Sequence, residues 1–341
     1  MNVKIGRRAL LGGLAASLAA GTSEASASTP DLGPAALRLC WIYNSEFAGE
    51  FHAASKGYYR QEGLSATSLV PGGPGAAPAD IDVVQGRCLL GITAIDLTAA
   101  AINEGATLRT IGTQYQKTAF CIVSLASKPI LEPQQMIGRT IGVQPSNQTI
   151  FSTFLGVNGI DPDRVHSVPV QFDPSPLLTG DVDGWLGFVT NEPNTLRARG
   201  VTPAVLHFSD FHYPLLMQTY VATAEAIATR RPAIKAMLRA EIRGWRDNLH
   251  DPDEGARLSV DVFGRSLGLN IVSERLQSRA ENMLLTGPRT PAHGLFTISP
   301  QQIEDNVATL RGIGLDVTAA TLFDLSLLDE IYQADPTLLV V

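Results

Sequence analysis

Two short stretches carry the residue types best able to recognise a small molecule. In Trp41-Ile42-Tyr43-Asn44-Ser45-Glu46-Phe47, two aromatics with a polar handle, an amide, a carboxylate and an apolar ring fall within seven positions. Aromatic rings stack on the faces of a flat polar heterocycle, while an amide and a carboxylate address its edge. The second stretch, Trp185-Leu186-Gly187-Phe188-Val189-Thr190-Asn191-Glu192-Pro193, ends a strand-like run in an amide and a carboxylate. Such a pair accepts from an exocyclic amine and pairs with ring nitrogens. Each residue also has a plainer reading. Trp41 and Phe47 fit a core, Glu46 fits a cap, and Asn191-Glu192-Pro193 fits a helix start with an early proline. Helix starts lie at the same strand ends as ligand sites, so both readings of Asn191 hold together.

Weaker candidates surround these two. Thr93-Ala94-Ile95-Asp96 ends a third strand-like run, and Gln144-Pro145-Ser146-Asn147-Gln148-Thr149 precedes a helical pattern whose amides could meet an anion or simply cap it. The turn Gly72-Gly73-Pro74-Gly75 lacks the lysine of a phosphate loop. The expected ligand-binding set is Trp41, Tyr43, Asn44, Glu46, Thr93, Gln116, Asp183, Trp185, Asn191 and Glu192. Catalytic constellations are missing: there is no HExxH, no GxSxG and no clustered Cys/His group. The six histidines are scattered, and His207 and His212 near Asp210 make only a poor metal site. No catalytic residue, metal or cofactor is expected.

These residues need elements to hold them. Strand-like runs at Leu37–Ile42, Leu64–Val70, Leu89–Thr93, Leu108–Thr113 and Phe120–Ser124 alternate with helical patterns at Ala48–Tyr59 and Ile95–Glu104. After a turn-rich stretch at Pro129–Gly138 the order restarts, with strands at Thr140–Gln144, Val165–Val170, Gly184–Val189 and Val205–Phe208. Gln218–Ala222 then reads as an extended return. Amphipathic helices follow at Pro232–Asn248, Pro252–Gly264 and Pro300–Gly312. This order predicts an α/β protein with mainly parallel sheets. We expect two lobes: residues 28–125 begin the first, 126–218 form the second, and 219–341 return to the first with the C-terminal helices. In such folds ligands bind outside the carboxyl ends of the strands, here in a cleft that closes by a hinge.

The amino terminus predicts where the protein works. Lys4, Arg7 and Arg8 precede the apolar run Ala9–Gly21, and Ala25-Ser26-Ala27 supplies small residues for cleavage. This is the plan of an export signal over residues 1–27, with paired arginines as in the twin-arginine variant. The run is shorter than the roughly 20 residues a spanning helix needs. The 341-residue chain has a net charge of −7, and losing the signal leaves −9. An acidic exported chain has no electrostatic footprint for nucleic acid or an anionic membrane. Cys40, Cys88 and Cys121 fit neither a zinc site nor a CxxC motif; one disulfide or three buried thiols both suit an exported protein.

Six further motifs in order bring a resemblance. FAGEFHAASKGYYRQEGL (47–64), QKTAFCIVSLASKPI (116–130), IGRTIGV (137–143), NGIDPDRV (158–165), FDPSPLLTGDVDGW (172–185) and TNEP (190–193) are together similar to periplasmic substrate-binding proteins of ABC importers. The branch is the one for thiamine-pyrimidine precursors and related sulfonate, nitrate and riboflavin binders. The resemblance covers residues 37–225 and implies a type II periplasmic-binding fold with the ligand cleft between its lobes. It also implies a monomer that delivers a small heterocycle to an inner-membrane permease. By the same resemblance, Trp41 and Tyr43 sandwich the ring while Asn44 and Glu192 hold its edge. Glu50-Phe51-His52 and Gln144–Gln148 depart from the family pattern, the latter lacking a glycine-rich phosphate cradle, which argues against a phosphorylated ligand. The expected ligand is a thiamine-pyrimidine precursor. The alternatives are an alkylsulfonate, nitrate or riboflavin on the same fold, an exported pyrimidine-processing enzyme, and a sensor subunit.

Overall fold

A computed structural model describes Met1 and residues 30–340. The expected export signal lies outside these residues. In chain order the strands are β1 (Ala35–Arg38), β2 (Thr67–Val70), β3 (Leu90–Ala94), β4 (Leu108–Thr113), β5 (Phe120–Leu125), β6 (Thr140–Val143), β7 (His166–Pro169), β8 (Gly184–Phe188), β9 (Pro203–His207) and β10 (Met217–Thr223). They form two five-stranded sheets, β2-β1-β3-β10-β4 and β7-β6-β8-β5-β9. Within each sheet the first three strands run parallel, and one strand delivered from the other lobe runs against its neighbours: β10 in the first sheet, β5 in the second. This is the two-lobed α/β architecture expected from the alternation of strands and helices.

The sequence pattern keeps Phe120–Ser124 with the first lobe and places the restart at Pro129–Gly138. In the structure Phe120–Leu125 is a strand of the second sheet, paired with both β8 and β9. The chain therefore changes lobe at residues 114–119. The reason is geometric: parallel neighbours need a crossover of a dozen or more residues, normally a helix. Six residues separate β4 from β5, too few for that route, so β5 cannot be a parallel neighbour of β4, and it pairs in the second sheet instead. The return crossing is residues 208–216, and the two crossings lie side by side. The Gln114 backbone N–H donates to Gln218 O at 2.9 Å, and the Thr113 hydroxyl donates to Met217 O at 3.1 Å.

Helices cover the sheet faces. Helix Arg231–His250 buries Ile234, Met237, Leu238 and Trp245 against helix Ala48–Ser55, where Gly49 leaves the room that the Trp245 ring fills. Each fully buried large apolar side chain contributes roughly 1.5–3 kcal/mol relative to exposure. The second lobe has its own core of Cys121, Val123, Leu177, Trp185 and Leu196. Helix Pro300–Gly312 begins with a capping box, Ser299 with Gln302, and Leu310 joins a cluster containing Ile95 of the first lobe and Phe154 of the second. Among the described residues, no helix is long and apolar enough to cross a membrane.

Candidate functional site

The carboxyl ends of β1, β3, β6 and β8 converge on one cleft between the lobes. Its walls include Trp41, Glu46, Thr93, Leu97 and Pro78 from the first lobe and Phe120, Gln144, Ile150, Phe188 and Glu192 from the second. Asn191 sits at its edge. The empty space between these walls, open mouth included, is about 660 Å³. The lobes touch beside this cleft: the N–H of Ser146, a lining residue, donates to Pro74 O at 2.9 Å. The Pro71–Gly75 turn can do this because Gly72 lies against the Leu39 and Cys40 backbone, where a side chain has no space.

Two buried carboxylates, one from each lobe, dominate the cleft's chemistry. Glu46 is 1% exposed; it accepts from the Gln218 side-chain amide and, at 3.3 Å, from the Cys40 thiol. Burial, reinforced by the nearby charges of Glu281 and Glu192, pushes its pKa well above the usual carboxylate range. Glu192 opens helix Glu192–Ala198 and accepts the Phe188 N–H at 2.8 Å. Burial lifts its pKa to about 7 against the opposing pull of backbone N–H groups and of the Trp185 indole, which makes no hydrogen bond of normal geometry. Behind both stands Glu281, raised to about 7 by burial and partly restrained by Tyr115, Thr190 and Gln277. No lysine, arginine or histidine lines this cleft among the described residues. A carboxyl group near neutrality can accept a proton from a ligand amine or donate one to a ring nitrogen.

The structure brings Trp41, Glu46, Thr93, Asn191 and Glu192 of the expected set to this cleft. Thr93 uses its hydroxyl proton on buried Asp80 at 2.5 Å, leaving it an acceptor toward the cleft. Asn44 is buried beside it in an adjoining groove, its Oδ1 accepting the Glu46 N–H at 3.3 Å. Four expected residues stand elsewhere. Tyr43 packs against Phe51 and Phe263 and donates to Leu69 O at 2.7 Å. Gln116 lies in the first crossing, donating to Thr297 O at 3.3 Å. Asp183 precedes β8, so it sits at the far end of the strand, paired with Lys128 and Arg139. Trp185 is fully buried in the second lobe's core.

Sequence reasoning missed Cys40, Phe120, Met217 and Ala76–Ala79, which also line the cleft. Phe120 and Met217 begin the two antiparallel strands, whose amino ends meet the carboxyl ends of their neighbours. The sequence carries a signal for them, since two strand-like runs in succession with no helix between them exclude a parallel crossover. Gly187 is equally telling: a Cβ there would fall on the Glu192 carboxylate, so the absence of a side chain makes room for the acid.

Comparison with known proteins agrees with this geometry. A family model described as "NMT1/THI5 like" matches residues 44–255. A riboflavin-binding protein, RibY, of Chloroflexus aurantiacus is 26% identical over 246 residues, 69% of this chain and 68% of its own. A formylaminopyrimidine-binding protein of Halalkalibacterium halodurans is 22% identical, covering 63% of this chain and 66% of its own. A 4-amino-5-hydroxymethyl-2-methylpyrimidine phosphate synthase of Legionella pneumophila is 26% identical, covering 65% and 71%. Among solved structures, the periplasmic nitrate-binding protein NrtA from Synechocystis superposes with a TM-score of 0.66 at 11% identity over 89% of each chain. The alkanesulfonate-binding protein SsuA from Xanthomonas axonopodis superposes at 0.59 and 15% identity, over 88% of this chain and 98% of its own. These likenesses establish the periplasmic-binding-protein fold.

Proposed function

The chain belongs to the NMT1/THI5-like family, and from that premise we propose that it is an exported solute-binding protein that captures a small nitrogen heterocycle. It closes its lobes on the ligand and presents it to the permease of an ABC importer. The observation that carries this reading is the pairing of Glu46 and Glu192, one from each lobe, in a cleft with Trp41, Phe120 and Phe188 and, among the described residues, no cation. Aromatic faces suit a flat ring, and carboxyl groups whose pKa burial has raised suit an edge of amines and ring nitrogens. A sulfonate or nitrate would face two acids without a positive partner, which disfavours those ligands despite the shared fold. The names of two relatives, one a riboflavin binder and one a formylaminopyrimidine binder, support a ring with a pyrimidine edge. The smallest such ligand is an aminopyrimidine of the thiamine-precursor kind.

Binding rather than turnover is the role we assign. Two synthases among the relatives keep the enzyme reading in view. The cleft's one thiol, Cys40, is held protonated by burial and the adjacent Glu46 charge, so it is a poor nucleophile. Among the described residues no group of three or more His, Cys, Asp and Glu side chains could hold a metal ion.

The test is a thermal-shift and calorimetry panel on protein refolded to strip bound ligand. Aminopyrimidines, riboflavin, alkylsulfonates and nitrate form the panel, and a binder raises the Tm with concentration. Shifts confined to heterocycles, without ligand consumption, uphold the proposal. Shifts with sulfonate or nitrate alone overturn the cargo, and conversion of the ligand overturns the assigned role.

A further inference from the structure

The return crossing enters β10 through a bulge. Met217 pairs with Ala94 and Thr219 with Thr93, so Gln218 is an extra residue in the strand. Its φ of 54° lies in the left-handed region, which is costly for a residue with a Cβ and which glycine, asparagine and aspartate enter most easily. Bulges beside functional sites re-aim a side chain. Here the side chain is fully buried and reaches the first lobe's acid in the cleft, Glu46. Asparagine would suit this backbone better and carries the same amide. What glutamine adds is one methylene of reach, and that reach brings the amide to Glu46.

The contacts of Gln218 fix which way its amide points. Its backbone O accepts the Gln114 N–H at 2.9 Å, tying the two crossings together. Its Nε2 donates to Glu46 Oε1, and its Oε1 lies 3.3 Å from the Cys40 thiol. The same sulfur lies 3.3 Å from Glu46 Oε1, so its one proton can serve either oxygen. A reversed amide would set its oxygen against Glu46 Oε1 and its N–H groups against sulfur, a weak acceptor. Glu46 Oε1 is therefore engaged from two sides. Among the described residues, Glu46 Oε2 takes no hydrogen bond from the protein, and Glu46 lines the cleft. The titratable groups around this acid are Cys40, Tyr115, Glu192 and Glu281. Burial, with the charges of Glu281 and Glu192, favours its neutral form, while the bonds from Cys40 and Gln218 oppose that. A neutral acid whose Oε1 accepts an N–H carries its proton on the other oxygen.

We infer that Gln218 is the positioning residue of the recognition site: it holds Oε1 of Glu46 as an acceptor and so leaves Oε2, with the acid's proton, to meet the heterocycle. The inference rests on the proposed heterocycle reading and adds the residue that aims its first acid. It also gives the bulge a task, since a regular strand has no extra residue at the point where the crossing meets Glu46.

The experiment follows the Glu46 carboxyl carbon by NMR as pH is varied, its resonance identified by its absence from Glu46→Gln. Wild type is compared with Gln218→Met, which fills similar space without a donor, and with Gln218→Asn, which suits the left-handed backbone but falls short of Glu46. A donor favours the ionised acid, so its loss should raise the titration midpoint, by roughly half a pH unit or more, in both variants. Calorimetry with riboflavin and with 4-amino-5-hydroxymethyl-2-methylpyrimidine reads the consequence. Whichever binds wild type should bind both variants at least tenfold more weakly. A midpoint that falls would show Gln218 accepting the acid's proton on Oε1, and it overturns the inference. An unchanged midpoint, or undiminished affinity in both variants, overturns it too and leaves Gln218 a bulge residue with a structural role alone. The titration needs no ligand, so either result can stand beside a wild type that binds its heterocycle and leave the cargo reading intact. Failure of both heterocycles to bind wild type sinks the cargo reading and this role with it.

Discussion

Ser146 and Pro74 meet across the cleft through a single main-chain hydrogen bond of 2.9 Å, joining the second lobe's Pro145–Asn147 turn to the first lobe's glycine-rich loop. The contact uses backbone atoms alone, and Ser146 itself lines the cleft. A bond of this kind contributes to the closed form without touching ligand.

Ser146→Pro removes that N–H, and it also presses Pro145 away from its helical conformation. A net hydrogen bond is worth about 1 kcal/mol, so ligand Kd should rise at least about fivefold, with a small fall in apo Tm from the strained turn. Calorimetry checks the first and thermal denaturation the second. An unchanged Kd would mean that the contact takes no part in closure.

Glu192→Gln keeps an acceptor for the Phe188 N–H but removes the titrating proton. We expect at least a tenfold loss of affinity for the bound heterocycle and little change in apo Tm. A large fall in Tm with affinity retained in the folded fraction would make Glu192 a structural cap only.

Much of this site was legible from strand ends. Trp41, Glu46, Asn191 and Glu192 follow parallel strands and Thr93 lies near the end of one, and the rule that ligands lie beyond carboxyl ends gathers all five at one cleft. Asp183 failed because it precedes its strand: five residues at about 3.3 Å each put it roughly 17 Å from the cleft end. Trp185 failed through its depth in the strand, two residues short of the cleft end at Gly187, where its ring enters the core. The lobe boundary was misplaced for want of one inference, that β4 and β5 follow each other too closely to be parallel neighbours. The groove adjoining the cleft was out of reach, because residues 267–274 approach Asn44 and Asn191 only through tertiary packing. No local pattern marks that segment.

Trp41→Ala and Trp185→Ala should separate slot from core. Trp185 is fully buried, so its truncation should cost about 3–5 kcal/mol of stability and lower the Tm by roughly 10 °C. Its Kd, measured where the variant is folded, should stay within about twofold, since its ring makes no part of the cleft lining. Trp41→Ala should instead lower affinity at least tenfold. Equal effects of both on Kd would return Trp185 to the binding wall.

Glu281 links proton uptake to stability. Its carboxyl titrates near about 7 in the folded protein against about 4.3 in an unfolded chain. The folded state thus holds the proton more tightly between those values. The stability this provides is complete below about pH 4.3 and is lost as pH rises through about 7. Glu281→Gln cannot titrate, so the Tm difference, variant minus wild type, should grow as pH rises from 5 to 7.5 and then level off. A difference independent of pH would place an ionised Glu281 in the folded protein.

Gly187 tests whether Glu192 is held where the cleft needs it. A Cβ at this position would overlap the Glu192 carboxylate, and the glycine is not among those with positive φ, so backbone conformation does not require it. Gly187→Ala should therefore dislodge the acid from the Phe188 N–H, lowering both Tm and affinity. In a Glu192→Ala background the obstruction is gone, and an alanine in a strand interior is favoured over glycine by roughly 0.5–1 kcal/mol. There the same substitution should be neutral or slightly stabilising. The sign change across this double-mutant cycle isolates the pair. If Gly187→Ala destabilises equally in both backgrounds, its clash is with something other than Glu192, and the glycine has no role in shaping the cleft's acid.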